Sequence, residues 1–412
     1  MTRTKWSLVV IAATFIAGQG LAAEPPPPDR PALIAANSRS FAFADGRLSG
    51  SGADFLAAAT ADSQFVLLGE DHYLHDTPLF SAALYRMLYE RHGFGHLVVE
   101  QDRYAMEDVL APGRRGDAAR IGQWVGRYPG SFEFGSDQDI ELLALAGRLG
   151  KGPVAICGIE QGLGAPRYLD ELIGLAPSAR VKAELVEFRA LAQKLDPEPT
   201  YSVNFLIAAG MTERLAKLRA DFAAKPGSRA DEMLFGLLRS SEIFGYYRRA
   251  EAGEHVGLYN NTVRESWFKR LFMDCYRRMA KGERQPKAMF KFGSNHMFHG
   301  KNPTQAFPIG NFVHELAIAN GSTAFGIMIV PLLGEGYKDV PPELRALLPR
   351  AAPEAPIVVD LRAFRPVQRF LRASLSDSET AAFREIVNGY EAIVVLPNEQ
   401  PATMKLSGLK PL

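Results

Sequence analysis

The chain has 412 residues, 47% of them hydrophobic and 10% aromatic, with 47 Lys and Arg against 46 Asp and Glu. That composition excludes a largely disordered chain, because enough apolar surface is present to offset the entropy of ordering. A net charge of +1 gives no electrostatic reason to bind a nucleic-acid backbone, which needs a clustered basic surface.

Residues 1–23 read as a secretory signal peptide. Arg3 and Lys5 form the charged start, Leu8 to Ala17 the apolar stretch, and Gly20-Leu21-Ala22-Ala23 the small residues before cleavage. The apolar stretch is too short for a comfortable bilayer span. The mature chain is therefore expected to be exported, periplasmic or secreted, with no membrane span. Pro25 to Pro28 favour polyproline II, so 24–45 reads as a Pro-rich linker. A single domain over 46–397 and a loose tail over 398–412 complete the expected organisation. Cys157 and Cys275 suit either a disulfide or two buried thiols.

Short apolar runs recur along the chain. Phe65–Gly69, His96–Glu100, Val154–Ile159 and Ala288–Gly293 come first, then Ala324–Val330, Ile357–Leu361 and Ala392–Leu396. Their apolarity is continuous rather than alternating, as in strands buried on both faces of a parallel sheet. Between the first two, Leu79, Ala83, Leu84, Met87 and Leu88 fall at helical spacing, with Asp76 or Thr77 as cap and Pro78 in the first turn. This rhythm predicts an α/β fold, a mostly parallel β-sheet flanked by helices. From 178 to 281 only helical patterns occur (178–194, 203–224, 229–250 and 257–280). They predict a helical insertion between the third and fourth strands.

Polar residues follow the strands. The first run leads into Glu70 and His72, the second ends in Glu100, the third leads to Glu160 and the fourth to His296. Ligands of open α/β sheets bind beyond the carboxyl ends of strands. Carboxylates mixed with imidazoles there suit acid–base work or metal coordination. Glu100 would serve equally in a salt bridge with Arg103, and Glu160 as ordinary loop polarity. At the start of the last insertion helix, Asn261 and Arg264 are one step apart and are expected to bind substrate with Glu160, Arg264 through a carboxylate or oxyanion. A solvated helix start is the plainer reading of that segment, with Glu265 near the helix dipole. The chain has no G-x-S-x-G, H-E-x-x-H, G-x-x-x-x-G-K-[ST] or C-x-x-C, which removes the main case for serine-triad hydrolases, zincins, P-loop enzymes and thioredoxins.

Leu68-Gly69-Glu70-Asp71-His72, His96-Leu97-Val98-Val99-Glu100 and Phe292-Gly293-Ser294-Asn295-His296-Met297 resemble the motifs of the superfamily that joins erythromycin esterases, ChaN-like proteins and TraB/GumN/Tiki proteins. Arg264-Glu265 is similar to the esterases' Arg-Asp pair. The resemblance implies a parallel-sheet core with functional Glu and His at the strand ends. On it, the chain is expected to be an exported hydrolase of an ester- or amide-like bond. Glu70 would be the general base, His72 and His296 would orient water and shuttle protons, and Glu100 would be the second carboxylate. No cofactor is needed for that reading, and the partner is a small-molecule or peptide substrate. The other branches imply a divalent metal held by Glu70, His72 and His296 for proteolysis, or haem binding without turnover.

Overall fold

The computed structural model describes residues 29–132, 135–197, 201–254, 259–334, 336–368 and 375–409. The expected signal peptide, Pro25 to Pro28 and the last three residues of the expected tail lie outside them. Ten strands are described: β1 (Ser38–Ser40), β2 (Ala42–Ala44), β3 (Arg47–Ser49), β4 (Ser63–Glu70), β5 (His96–Asp102), β6 (Ile156–Glu160), β7 (Ala288–Gly293), β8 (Thr323–Pro331), β9 (Ile357–Asp360) and β10 (Ala392–Leu396). Eight of them form one sheet in the order β1-β9-β10-β8-β4-β7-β5-β6, and β2 pairs with β3 separately.

The sheet is parallel from β10 to β6, as the buried apolar runs predict. At the other edge β9 is antiparallel to both β10 and β1, a correction to the expectation that its apolar run marks a parallel strand. Every residue of β4, β5, β6, β7 and β10 is buried. One face packs Phe65, Val98, Phe290 and Phe292 against the helices Tyr259–Met279 and Ile309–Ala319. The opposite face packs Val66, Leu68, Val99 and Met289 against Asp76–His92 and Asp137–Leu149. A third core, around Tyr168, Phe188, Phe205 and Leu234, lies within the helical insertion between β6 and β7. The insertion begins at Ala165, earlier than expected, and the pattern over 203–224 breaks into Val203–Leu206 and Met211–Phe222. No described helix is long and apolar enough to cross a membrane.

Two segments do more than the sequence suggested. Part of the expected linker forms the helix Arg30–Asn37 and the edge strand β1. In the expected tail, the Glu399 carboxylate accepts from the Asp76 backbone N–H at 2.5 Å and the Thr77 hydroxyl at 3.1 Å. It thereby supplies the anionic cap at the start of Asp76–His92, where Asp76 or Thr77 was expected to do so. Asp137 accepts from the Lys405 and Leu406 N–H groups at 3.0 and 2.6 Å and fastens the same segment to the next helix.

Cys157 and Cys275 form a disulfide, their Cα atoms 6.4 Å apart and 118 residues apart in sequence. The bond ties β6 to the helix Tyr259–Met279. Cys157 precedes Glu160 by about 10 Å of strand, and Cys275 follows Arg264 by about 16 Å of helix. The helix is therefore pinned at one end of β6 and delivers its first turns to the other.

Candidate active site

At one edge of the sheet β4 ends in Glu70, β5 carries Glu100 near its end, β6 ends in Glu160, and β7 leads into His296. Alternation along a strand decides which face each side chain takes. Glu70 lies two residues beyond Leu68 and shares its face. Glu100 lies two beyond Val98 and points to the other face. The strand-end carboxylates thus belong to two clusters, one on each side of the sheet edge.

Lys291 organises the first cluster. Its Nζ donates to Glu70 Oε1 at 2.6 Å and lies 2.9 Å from Asp139 Oδ1. All three groups are buried. The two carboxylates outweigh burial and hold the ammonium charged, its pKa raised above the ordinary lysine value. Glu70 Oε2 is buried without a hydrogen-bond partner among the described residues.

Arg264 organises the second. It donates from Nε to Glu160 Oε1 at 3.0 Å, from Nη2 to Glu100 Oε1 at 2.9 Å, and from Nη2 to the other Glu160 oxygen. Glu100 Oε2 accepts from the Gly293 N–H at 2.7 Å. Its pKa lies below the usual carboxylate range, since His296, Arg264 and His72 outweigh its burial. Glu160 goes the other way, because burial raises it more than Arg264 lowers it. His296 sits between two acids: Nδ1 donates to Glu265 Oε1 at 2.5 Å, and Nε2 lies 3.2 Å from Glu100 Oε1 and 3.3 Å from Arg264 Nη1. Burial favours a neutral ring, but Glu100 and Glu265 overcome it and push the pKa up to about 10. At neutral pH His296 is an imidazolium.

A raised histidine pKa gives stability that is complete below the unfolded value of 6.5 and lost as pH climbs toward about 10. Thermal melts of wild type and His296→Gln should therefore differ most near pH 6 and converge by about pH 10. A gap that widens with pH would show that the ring is neutral in the fold.

His72 joins the clusters. Its Nδ1 is 3.4 Å from Glu70 Oε1, and its Nε2 is 4.0 Å from Glu100 Oε2. Burial lowers its pKa, but Glu70 and Glu100 reverse the effect and leave it raised. Its side chain is 27% exposed, against 2% for Glu70 and for Glu100. Two glycines permit this closeness. A Cβ on Gly293 would come within 2.9 Å of His72 Nε2, and one on Gly69 within 3.0 Å of Ser294 Cα.

The sequence-predicted residues Glu70, His72, Glu100, Glu160, Arg264 and His296 thus meet at one sheet edge. Asn261 does not join them: it is half-buried in the first turn of its helix, with no side-chain hydrogen bond among the described residues. Glu100 pairs with Arg264 rather than Arg103, which turns to Glu107 and Asp274. Glu265 is no solvated helix start but a buried partner of His296. Lys291 and Asp139 were not foreseen. A lone lysine inside the apolar run of β7 is the signal that would have found the first, whereas Asp139 looks like any acid in a helix's first turn.

Glu70, His72 and His296 do not fit a shared metal, because both ring nitrogens of His296 are engaged by carboxylates. Among the described residues, ligand-like spacing is found at His299, His314 and Glu391 instead.

The fold is shared with an erythromycin esterase and with two other solved proteins. A mutant of the erythromycin esterase EreC in its open conformation superposes over 86% of this chain and 95% of its own, with a TM-score of 0.50 and 16% identity. A Bacillus cereus protein covers 92% of this chain and all of its own at TM-score 0.56 and 11% identity. A succinoglycan biosynthesis protein covers 94% of this chain and all of its own at 0.56 and 13%. No family model and no curated protein sequence matches the chain.

Proposed function

We propose that the chain is an exported hydrolase of ester- or lactone-like bonds, in which His72 is the general base. The observation that carries this reading is the position of His72 as the exposed member of the joined clusters, with Glu70 behind one ring nitrogen. Glu70 was expected to be the base. At 2% exposure, with Oε1 accepting from Lys291, it is better placed to hold the Nδ1–H tautomer of His72. Nε2 then takes a proton from water as the hydroxide adds to the substrate carbonyl. The oxyanion forms beside the Arg264 guanidinium and the His296 imidazolium, cations fixed in place by Glu100, Glu160 and Glu265. Collapse breaks the bond to the alkoxide, which takes the proton back from His72 and leaves as an alcohol. The acid product remains. One structural neighbour is an esterase by name, which supports this substrate class. Export agrees with the Cys157–Cys275 bond, since disulfides persist in oxidising compartments.

The test is a panel of aryl esters and macrocyclic lactones followed by acid release in a pH-stat. Turnover that saturates with substrate supports the reading, and a folded protein inert on every compound removes it. Glu70→Gln should lower kcat on the active substrate and shift the acid limb of kcat/KM to lower pH, because the carboxylate that raises His72 is gone. A shift to higher pH would contradict that pairing.

A further inference from the structure

Another histidine pair lies away from the strand-end residues. His299 follows β7, His314 is on the helix Ile309–Ala319, and Glu391 immediately precedes β10. The two rings stack with centroids 4.2 Å apart and planes within 3°. His314 Nε2 and Glu391 Oε2 are 4.0 Å apart, and one ligand atom from each of the three residues lies within 4.8 Å of the others. His314 is 5% exposed, and its Nε2 is buried with no hydrogen-bond partner among the described residues. Buried polar nitrogens are nearly always satisfied, so an orphan aimed toward a carboxylate asks for an occupant.

We propose that His299, His314 and Glu391 form a binding site for a divalent first-row transition ion, zinc above all. Two imidazoles and one carboxylate are the donor set that zinc takes, with a fourth position left for water. The surroundings fit the part. Arg365 Nη2 donates to Glu391 Oε1 at 2.8 Å and the Gly326 N–H donates to Oε2 at 2.6 Å, so the carboxylate is oriented by outer partners. Oε2 keeps a second lone pair for the metal.

Zinc bonds of about 2.0–2.2 Å at tetrahedral angles place ligand atoms about 3.3–3.6 Å apart. The triad therefore has to contract, by about an ångström at its widest spacing. The ring stack must also open, since a metal lies in the plane of each imidazole that binds it. His299 is the half-buried, loop-borne member and is the one that turns. Its backbone N–H donates to Gly389 O at 3.0 Å, so the ion would fasten this loop, which also carries His296, to β10.

The test is calorimetric titration of zinc chloride into the full chain after chelator treatment and dialysis. Wild type should bind one equivalent. His299→Ala should weaken binding at least about tenfold, the low end of what even an outer-shell change costs. His314→Gln should abolish it, and His72→Gln should leave it unchanged. His299→Ala keeps the test decisive if the buried substitution at His314 disturbs folding. Absence of saturable zinc binding by wild type overturns the proposal. So does unchanged affinity in His299→Ala, or binding that disappears in His72→Gln and so belongs to the strand-end cluster.

Discussion

His72→Gln is expected to lower kcat by about 10²–10⁴-fold, the usual contribution of a positioned base. The melting temperature should stay within about 2–4 °C, which corresponds to about 1 kcal/mol in a domain of substantial size. The two effects separate because His72 is the partly exposed end of the network. Its link to Glu70 is 3.4 Å long, whereas the buried bonds from Lys291 to Glu70 and Asp139 do not pass through it. Glutamine keeps a polar group at the site but has no nitrogen able to accept a proton. The comparison is kcat on the best ester of the panel beside a thermal melt. Undiminished turnover would return the base to Glu70, and activity lost only in step with folding would leave His72 a structural residue.

Arg264→Met should cost about 3–5 kcal/mol of stability, the range for removing one partner of a buried ion pair. Methionine occupies much of the same space but leaves Glu100 and Glu160, with side chains 2% and 0% exposed, without the cation between them. The effect has a definite pH dependence. Without Arg264 the folded-state pKa of Glu160, already raised by burial, rises further, so the folded chain takes up a proton as pH falls, while His296 and His72 still hold Glu100 ionised. The deficit is full at pH 8 and shrinks toward pH 5. Urea unfolding at those two pH values measures it. A loss below about 1 kcal/mol, or one that does not change with pH, would show that the two carboxylates are not held by this guanidinium.

The parts of the fold that could be read in the sequence are those that local pattern determines. The runs from Phe65 to Leu396 announce themselves because strands buried on both sides have no polar face to alternate with. Strand direction is another matter. β9 reads like its neighbours, yet it runs antiparallel, because direction depends on the path of the connection and not on the apolar run. β1, with the sequence Ser-Arg-Ser, has no apolar signature and pairs only at the sheet edge.

The site divides in the same way. The rule that strand ends carry function brought Glu70, His72, Glu100, Glu160 and His296 together. Their division between two faces depends on which residues of β4 and β5 share a core, something one strand alone does not reveal. Lys291 and Glu265 lay in plain view, but their partners are 221 and 31 residues away, in elements whose packing no local pattern encodes.

The disulfide has a consequence for the order in which the site is completed. Arg264 and Glu265 arrive from a helix beyond the whole insertion, and the Cys157–Cys275 bond holds that helix against β6. Before oxidation only packing secures it. A reduced chain would thus carry Glu100 and Glu160 ready at their strand ends while the residue that neutralises them was less firmly seated. Formation of the bond would then be the step that seats Arg264, so that the chain's maturation and its chemistry would share a single covalent checkpoint.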